Sequence, residues 1–353
     1  MAKLLVGLSG GVDSAVAAYQ LKQAGHEVIG ITLRTWETEE ESGSRCCEID
    51  DARNVASQLG IPFHVVNCSS LFKTHVTGPF VCEYLRGRTP NPCVVCNQLV
   101  KWAKMTEWAG ILQADGVATG HYATVVKLKN GRYSVKTAVH AEKDQTYMLY
   151  RLSQEQLKIT SMPLGALSKA EVRAIAEQAG IAVAGKPDSQ EICFVQDGHY
   201  AEYIEAHAGG DIPSEGNFVD ESGRVLGRHK GIIHYTVGQR KGLGIALGVP
   251  AYVTEIRPET GEVVLGTEQS VYRGRILCED IHYMGAEELS AGQSMRAKVK
   301  VRYHHAAQDA LITATGDKTA EIVFDEPVRA AAPGQSAVFY DEDGCVLGGG
   351  IIA

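Results

Sequence analysis

Near its start the chain reads Leu4-Leu5-Val6-Gly7-Leu8, then Ser9-Gly10-Gly11-Val12-Asp13-Ser14, then Ala15-Val16-Ala17-Ala18-Tyr19. An apolar run, a turn with two glycines and a helix-forming run predict a buried strand that passes through a tight loop into a helix. Such a unit begins a βαβ crossover, which requires a parallel sheet covered by helices. The loop also has chemistry. Glycine lets backbone approach a phosphate closely, and a helix N-terminus presents unpaired N–H groups and a positive dipole end to an anion. Ser9 and Ser14 add hydroxyl donors. Asp13 puts a carboxylate where Mg²⁺ or a reacting group would sit. The spacing is neither Gly-x4-Gly-Lys-Ser/Thr nor Gly-x-Gly-x-x-Gly. An ordinary Gly-Gly turn is the plain alternative; all six residues in this context favour phosphate binding.

The alternation continues. Residues 28–33 read as a strand, a helix is expected near 50–59 with Gly60 at its C′ position, and Phe63-His64-Val65-Val66 reads as a strand. A helix from about 97 to 108 and a short strand at 116–119 follow. Ligands of such sheets bind beyond the carboxyl ends of the strands, where residues 9–14 and the segments after Leu33 and Thr119 fall. Lys129-Asn130-Gly131-Arg132 is a hairpin turn signal, and Ser168-Lys169-Ala170-Glu171 is a capping box opening a helix that closes at Gly180. From about residue 210 the pattern turns β-rich, with runs at 252–256, 263–265, 296–303, 310–314, 319–324 and 336–340. These predict a small connecting module and a C-terminal all-β barrel or sandwich.

A length of 353 residues calls for two or three domains, and 44% hydrophobic with 22% charged residues is the balance of a soluble globular protein. No apolar run approaches the ~18–20 residues of a membrane span, and no signal-peptide pattern opens the chain. The cytoplasm is therefore the expected compartment, with no membrane partner. There, nine cysteines argue for reduced thiols, metal or catalysis rather than a disulfide framework. The net charge of −8 does not suggest a nucleic-acid binder. The mean conceals asymmetry, with acid at Glu37, Glu39, Glu40 and Glu41. Base gathers at Arg224, Arg228, His229, Lys230, Arg240 and Lys241, and again at Arg296, Lys298, Lys300 and Arg302. A local basic face suffices to bind a phosphate backbone, and a solvated surface explains these runs equally well.

Two segments carry thiols. Arg88-Thr89-Pro90-Asn91-Pro92-Cys93-Val94-Val95-Cys96-Asn97 has two prolines that hold the approach extended, with a helix expected to begin near Asn97. A cysteine at a helix N-terminus has its thiolate favoured by the dipole, which lowers its pKa. Cys-x-x-Cys also suits a metal, but structural zinc needs a second ligand pair, and Cys46-Cys47 is not a second Cys-x-x-Cys. The other segment is Gly185-Lys186-Pro187-Asp188-Ser189-Gln190-Glu191-Ile192-Cys193-Phe194. A lone Cys193 between Ile192 and Phe194 reads by default as a small buried hydrophobe.

The loop at 9–14 resembles the pyrophosphate loop, Ser-Gly-Gly-x-Asp-Ser, of enzymes that split ATP to AMP and pyrophosphate. Behind it stand, in order, the Asn91-Pro92-Cys93 segment with Cys96, Ala118-Thr119-Gly120-His121-Tyr122, Lys143-Asp144-Gln145-Thr146-Tyr147, the Cys193 segment and Tyr235-Thr236-Val237-Gly238-Gln239-Arg240-Lys241-Gly242. Over essentially its whole length the chain resembles the bacterial tRNA-specific 2-thiouridylases. The resemblance implies an α/β, adenine-nucleotide α-hydrolase-like (N-type ATP pyrophosphatase) parallel sheet at 1–205. A small β-rich tRNA-binding linking domain at 206–273 and a C-terminal β-barrel at 274–353 would follow.

The activity so implied is ATP-dependent 2-thiolation of the wobble uridine (U34) in tRNAs for Lys, Glu and Gln, gripped at the anticodon stem-loop. Gly7, Leu8, Ser9, Gly10, Gly11, Val12, Asp13 and Ser14 would hold the ATP phosphates, with Leu33 and Gly120 near the nucleoside. Asp13 would position Mg²⁺ or assist attack of the uridine carbonyl on the α-phosphate. Cys193 would carry sulfur as a persulfide, delivered by a protein donor (a persulfide carrier or a cysteine desulfurase relay). Cys96 would release that sulfur and form a transient disulfide with Cys193. Asn91, Pro92 and Cys93 would lie beside the target base, and His121, Lys143, Asp144, Gln145, Arg302, Tyr303 and Gln335 match tRNA contacts. Cys46, Cys47, Cys68, Cys82, Cys278 and Cys345 remain structural, with Cys46-Cys47 in a polar loop open to oxidation.

One position departs from the pattern. Well-known members have Asp where this chain has Cys93. Cys93, Cys96 and Cys193 would then be the three thiolate ligands of a [4Fe–4S] cluster with one iron free to bind sulfide. A persulfide needs free thiols and a cluster occupies them; the residues leave both routes open, with the persulfide preferred. A pyrophosphate-loop ligase acting on a small molecule would leave the paired cysteines and the basic C-terminal half without a purpose. A non-catalytic RNA-binding or cluster-carrying protein would leave the ATP loop idle.

Overall fold

The computed structural model of the chain describes residues 1–35, 46–187, 192–195, 199–210, 212–245 and 247–353. The acidic run at 37–41 and the polar stretch at 188–191 lie outside the described residues. β1 (Lys3–Gly7), β2 (Glu27–Arg34), β3 (Phe63–Asn67), β4 (Gly116–Ala118) and an edge strand, Thr160–Ser161, form one parallel sheet in the order β3-β2-β1-β4-edge. β1 is covered on both faces, with Leu5 and Val6 fully buried, which is why Leu4-Leu5-Val6 is continuously apolar and does not alternate. The small residues of helix α1 (Val12–Gln23), Ala15, Ala17 and Ala18, let it lie close on the sheet. Strand order runs outward from β1 to β3 and then returns to β4 on the other side of β1. The cleft beyond the carboxyl end of β1 is therefore the topological switch point.

The hairpin predicted around Asn130-Gly131 joins Ala123–Lys127 to Tyr133–Thr137. The predicted capping box is present: Ser168 Oγ accepts from Glu171 N at 3.2 Å and the Glu171 carboxylate accepts from Ser168 N at 2.7 Å. Farther on come a four-stranded sheet (Gly216–Asp220, Val225–His229, Tyr252–Arg257 and Glu262–Gly266) and a closed six-stranded barrel. The barrel, not a sandwich, is built from Tyr272–Tyr283, Ser294–Lys300, Gln308–Gly316, Thr319–Arg329, Ser336–Tyr340 and Val346–Ile352. One apolar core runs from Leu5 and Cys96 through Phe194 and Tyr147 to Phe218, Val253 and Val338, so the sheet, the middle module and the barrel share buried surface.

Two expectations are corrected and one strand is added. The helix expected near Asn97 begins at Pro92. Asn91 is its N-cap, with Oδ1 accepting from Cys93 N at 3.2 Å, and Pro92 takes the first helical position, where its missing N–H costs nothing. The strand expected over 296–303 ends at Lys300, leaving Arg302 and Tyr303 on the connection beyond it. The last barrel strand, Val346–Ile352, was unread because Gly348-Gly349-Gly350 signals a turn. Its glycines instead admit close neighbours: a Cβ on Gly349 would stand 2.7 Å from the Tyr150 ring and one on Gly348 2.4 Å from the His282 carbonyl.

Candidate active site

The loop between β1 and α1 is shaped by Gly10, whose φ of 75° suits glycine and whose Cβ would meet the Glu48 carbonyl at 2.4 Å. Gly11 starts α1 without a side-chain cap, so the first-turn N–H groups stay available to an anion. Ser14 Oγ accepts from Ser9 N and donates to Gly11 O, both at 3.1 Å, which ties the loop. Leu8 and Val12 are buried and support the loop from beneath. Gly7 lies against Met105, and Leu33 is half-buried near the carboxyl end of β2. Gly120, just after β4, closes the other wall: a Cβ there would lie 2.7 Å from the Asp13 carbonyl carbon and from Ser14 N.

The Asp13 carboxylate is already engaged. Tyr122 Oη donates to Oδ1 at 2.7 Å, and Lys169 Nζ lies 2.7 Å from Oδ1 and 2.8 Å from Oδ2. Lys186 Nζ donates to Asp51 Oδ2 at 2.8 Å and to the Gly10 carbonyl at 3.4 Å. These two lysines were not singled out from the sequence. Lys169 did leave a signal. It occupies the first position of its helix, where a cation opposes the dipole, and such a local conflict points to a partner elsewhere.

The thiols differ in exposure: Cys193 is exposed, Cys93 half-buried and Cys96 buried. The default reading of Cys193 as a core residue is therefore overturned. Its neighbour Phe194 takes the buried place, edge-on to Phe72 at 5.5 Å and Phe80 at 5.2 Å, and Cys193 is left outside. Cys46 and Cys47 open the helix Cys46–Leu59 rather than sitting in a loop.

The helix that starts at Pro92 is α-helical to Val95, π-helical over Cys96–Trp102 and α-helical again over Ala103–Ile111. In an α-helix, residues five apart point about 140° away from each other. The wider i→i+5 winding of a π-helix brings them nearer to one face, and such segments recur at functional sites. Lys101 is thereby turned toward the side of Cys96. Burial works to lower its pKa, but the charges of Cys96, Cys93 and Cys193 outweigh that effect and raise it.

The expected lowering of a thiol pKa does not occur. Burial pushes Cys93 and Cys96 above their ordinary 9.0, with Lys101 opposing the rise in both; Cys93 and Cys68 add to it at Cys96. Cys96 is a full turn inside the helix, beyond the reach of the N-terminal dipole, so desolvation decides. His121, next to Gly120, is held down to about 3 by burial and by Lys101, and is neutral. Its Nδ1 is 2.8 Å from Thr119 Oγ1, and its ring is 5.3 Å from Trp102. The charge of Lys101 is thus felt both at the thiols and at His121, beside Gly120. Among the described residues no group of three or more His, Cys, Asp or Glu side chains is arranged to hold a metal ion. Cys93, Cys96 and Cys193 share Lys101 without forming a ligand set, so this arrangement does not favour a [4Fe–4S] cluster.

The remaining predicted residues frame the same region. Pro92 is buried, and Asn91 Nδ2 points to Met148 Sδ at 3.3 Å. Asp144 is buried and accepts from Thr146 Oγ1 at 2.7 Å and Ala138 N at 3.1 Å. Gln145 Oε1 accepts from Tyr122 N at 2.9 Å, so this turn braces the tyrosine that holds Asp13. Lys143 is half-buried at the start of the turn. Arg302 donates to the Val237 carbonyl at 2.5 Å, and the Tyr303 ring lies 6.2 Å from Tyr147. Gln335 Nε2 donates to the Thr89 carbonyl at 2.8 Å, joining the barrel to the segment before Asn91. No helix among the described residues is long and apolar enough to cross a membrane.

Three family models together match nearly all of the chain. The tRNA methyl transferase HUP domain matches residues 2–197, the tRNA methyl transferase PRC-barrel domain 202–267 and the aminomethyltransferase beta-barrel domain 273–352. The tRNA-specific 2-thiouridylase MnmA of Lachnoclostridium phytofermentans is 51% identical over 359 residues, spanning 100% of this chain and 99% of the relative. That of Acetivibrio thermocellus is 49% identical over 358 residues, spanning 99% of each. A solved U34-tRNA thiolase, NcsA from Methanococcus maripaludis with its [4Fe-4S] cluster, covers 60% of this chain and 67% of its own at 20% identity and a TM-score of 0.36, a likeness too loose to bear on mechanism.

Proposed function

The chain belongs to the tRNA-specific 2-thiouridylase family, and from that premise we propose that it replaces O2 of U34 with sulfur at the expense of ATP, with Asp13, Cys96 and Cys193 carrying the chemistry. We take its working units as 1–205, 206–273 and 274–353, and its substrates as the tRNAs for Lys, Glu and Gln. The C2 oxygen of uridine is a poor leaving group until it is esterified. Attack of O2 on the α-phosphate expels pyrophosphate and leaves the oxygen bound to AMP. The open N–H groups of α1, with Lys169 and Lys186, support the phosphate charge through this step. Mg²⁺ supplies further neutralisation when bound, and Asp13 would hold it once phosphate draws Lys169 from its carboxylate.

Sulfur arrives as a persulfide on Cys193, whose exposure suits transfer from a protein donor. The Cys96 thiolate attacks Cys193 Sγ. A Cys96–Cys193 bond forms, the persulfide S–S bond breaks and hydrosulfide leaves. Hydrosulfide adds to C2, and AMP departs with the original oxygen. The observation that carries this reading is that an exposed and a buried thiol both act electrostatically on one cation, Lys101, whose charge is also felt by His121 beside the Asp13 loop.

The test mixes the protein with unmodified Glu tRNA, ATP, Mg²⁺ and a persulfide donor and scores 2-thiouridine by nucleoside mass spectrometry. Wild type is expected to make product. Cys193→Ser is expected to adenylate and bind tRNA but not to thiolate. Near-normal thiolation by that variant would remove the persulfide role, and product only after iron–sulfur reconstitution would favour the cluster. No adenylation by wild type would overturn the reading.

A further inference from the structure

We propose that Arg329, together with Arg302, forms a binding site for a backbone phosphate of the RNA substrate at the seam between the middle module and the barrel; the proposal rests on the tRNA reading above. Neither guanidinium forms an ion pair with a carboxylate among the described residues, yet Arg302 Nη2 and the methyl of Ala330, the residue after Arg329, both flank Gly238, at 3.5 and 2.3 Å from where its Cβ would stand, and the two charges repel each other. Lys300, His304 and His305 stand in the same group. The carboxylate felt there among the described residues is Asp144, acting on Lys300, and its oxygens are already used by Thr146 and Ala138. Like charges drawn together without a counter-charge are costly, and an anion completes such an arrangement. Arg302 Nε is also buried without a hydrogen-bond partner, while its terminal nitrogen donates to Val237.

The backbone is forced to present Arg329. Ala330, immediately after it, has a φ of 51°, a left-handed conformation that strains a non-glycine residue. The conformation is held by the bond from Ala330 N to the Val271 carbonyl at 2.8 Å and by complete burial of the alanine. The Ala330 methyl fills the space beside Gly238, where any Cβ would stand 2.3 Å from it. The strand Thr319–Arg329 therefore ends in a sharp turn that lays the Arg329 guanidinium over the Tyr252 ring at 5.4 Å. Stacking fixes the plane and leaves edge N–H groups to meet a phosphate. The seam adjoins the chemistry, because Tyr303, next to Arg302, lies in the field of Cys93.

The test measures tRNA affinity of the full chain across a range of salt concentrations. Arg329→Gln is expected to weaken binding and to make the slope of log affinity against log salt shallower by about 0.7–0.9, the loss of one phosphate contact. Arg329→Lys is expected to restore most of the slope. If both variants lose affinity alike at wild-type slope, Arg329 is a packing element and the site is overturned. Unchanged affinity and slope in Arg329→Gln overturns it too. No tRNA binding by wild type would instead overturn the tRNA reading, and the site with it.

Discussion

Lys169 grips both carboxylate oxygens of Asp13, at 2.7 and 2.8 Å, across 156 residues of sequence. The pair stands at the mouth of the loop between β1 and α1, with side-chain exposures of 15% and 33%. A pair this open adds only about 1 kcal/mol to stability. In the function proposed above, the pair holds a cation where phosphate charge develops.

Lys169→Gln is therefore expected to slow pyrophosphate release about 10- to 100-fold while tRNA affinity is retained and stability falls by about 1 kcal/mol. Pyrophosphate release from ATP in the presence of tRNA reads the first effect and urea unfolding the last. Release at the wild-type rate would take Lys169 out of the nucleotide site.

Gly120→Ala tests the other wall. The new methyl would stand 2.7 Å from backbone atoms of Asp13 and Ser14, which cannot swing aside as a side chain can. The expected cost is about 1–3 kcal/mol of stability, with loss of thermal stabilisation by ATP. A variant that melts like wild type and is still stabilised by ATP would show that the two segments are not in contact.

The thiols make a prediction in pH. Burial holds the Cys96 thiol above 9.0, so at pH 7.5 it is protonated in the free protein, and alkylation by iodoacetamide should accelerate only above pH 9. Lys101 works against burial, so Lys101→Met should move that onset higher still. The unfolded chain loses this proton first as pH rises, so the thiol's contribution to stability is complete below 9.0 and falls above it. Peptide mass spectrometry of alkylated Cys96 across pH reads the onset directly. An onset below 8 in wild type would contradict the burial argument.

His121 sets the acid side. Its folded pKa, about 3, is well under the ordinary 6.5, so below 6.5 the unfolded chain binds a proton that the folded chain refuses. Its contribution to stability is complete above 6.5 and declines as pH falls toward 3. His121→Gln should therefore show a shallower loss of urea midpoint between pH 7 and 5 than wild type. Parallel curves for the two proteins would mean that His121 is not held neutral by burial.

Much of this was readable along the chain because it is local. The loop at 9–14, the helix stops at Gly60 and Gly180 with φ of 61° and 63°, and the capping box at Ser168 are codes spelled by neighbouring residues. The start of the cysteine helix was also local, and Asn91-Pro92 spells a cap followed by a first helical position. Two prolines in a row of turn residues obscured it. The motifs at Asp13, Cys96 and Cys193 marked the candidate reacting groups without showing how they are disposed.

What no local pattern could supply is the environment of those groups. Lys101 faces the thiols because the helix is π-wound over Cys96–Trp102, where it packs against a second π-helical segment, Lys73–Thr77. The pKa of Cys96 rises because other segments exclude water from it, reversing what the dipole of its own helix predicts. Lys169 meets Asp13, and Arg329 meets Arg302, only once distant strands are placed. Backbone preference and side-chain period act over a few residues and are written in order along the chain. Desolvation and Coulomb forces act through space, and they came into being only when the sheet, the middle module and the barrel closed on one core.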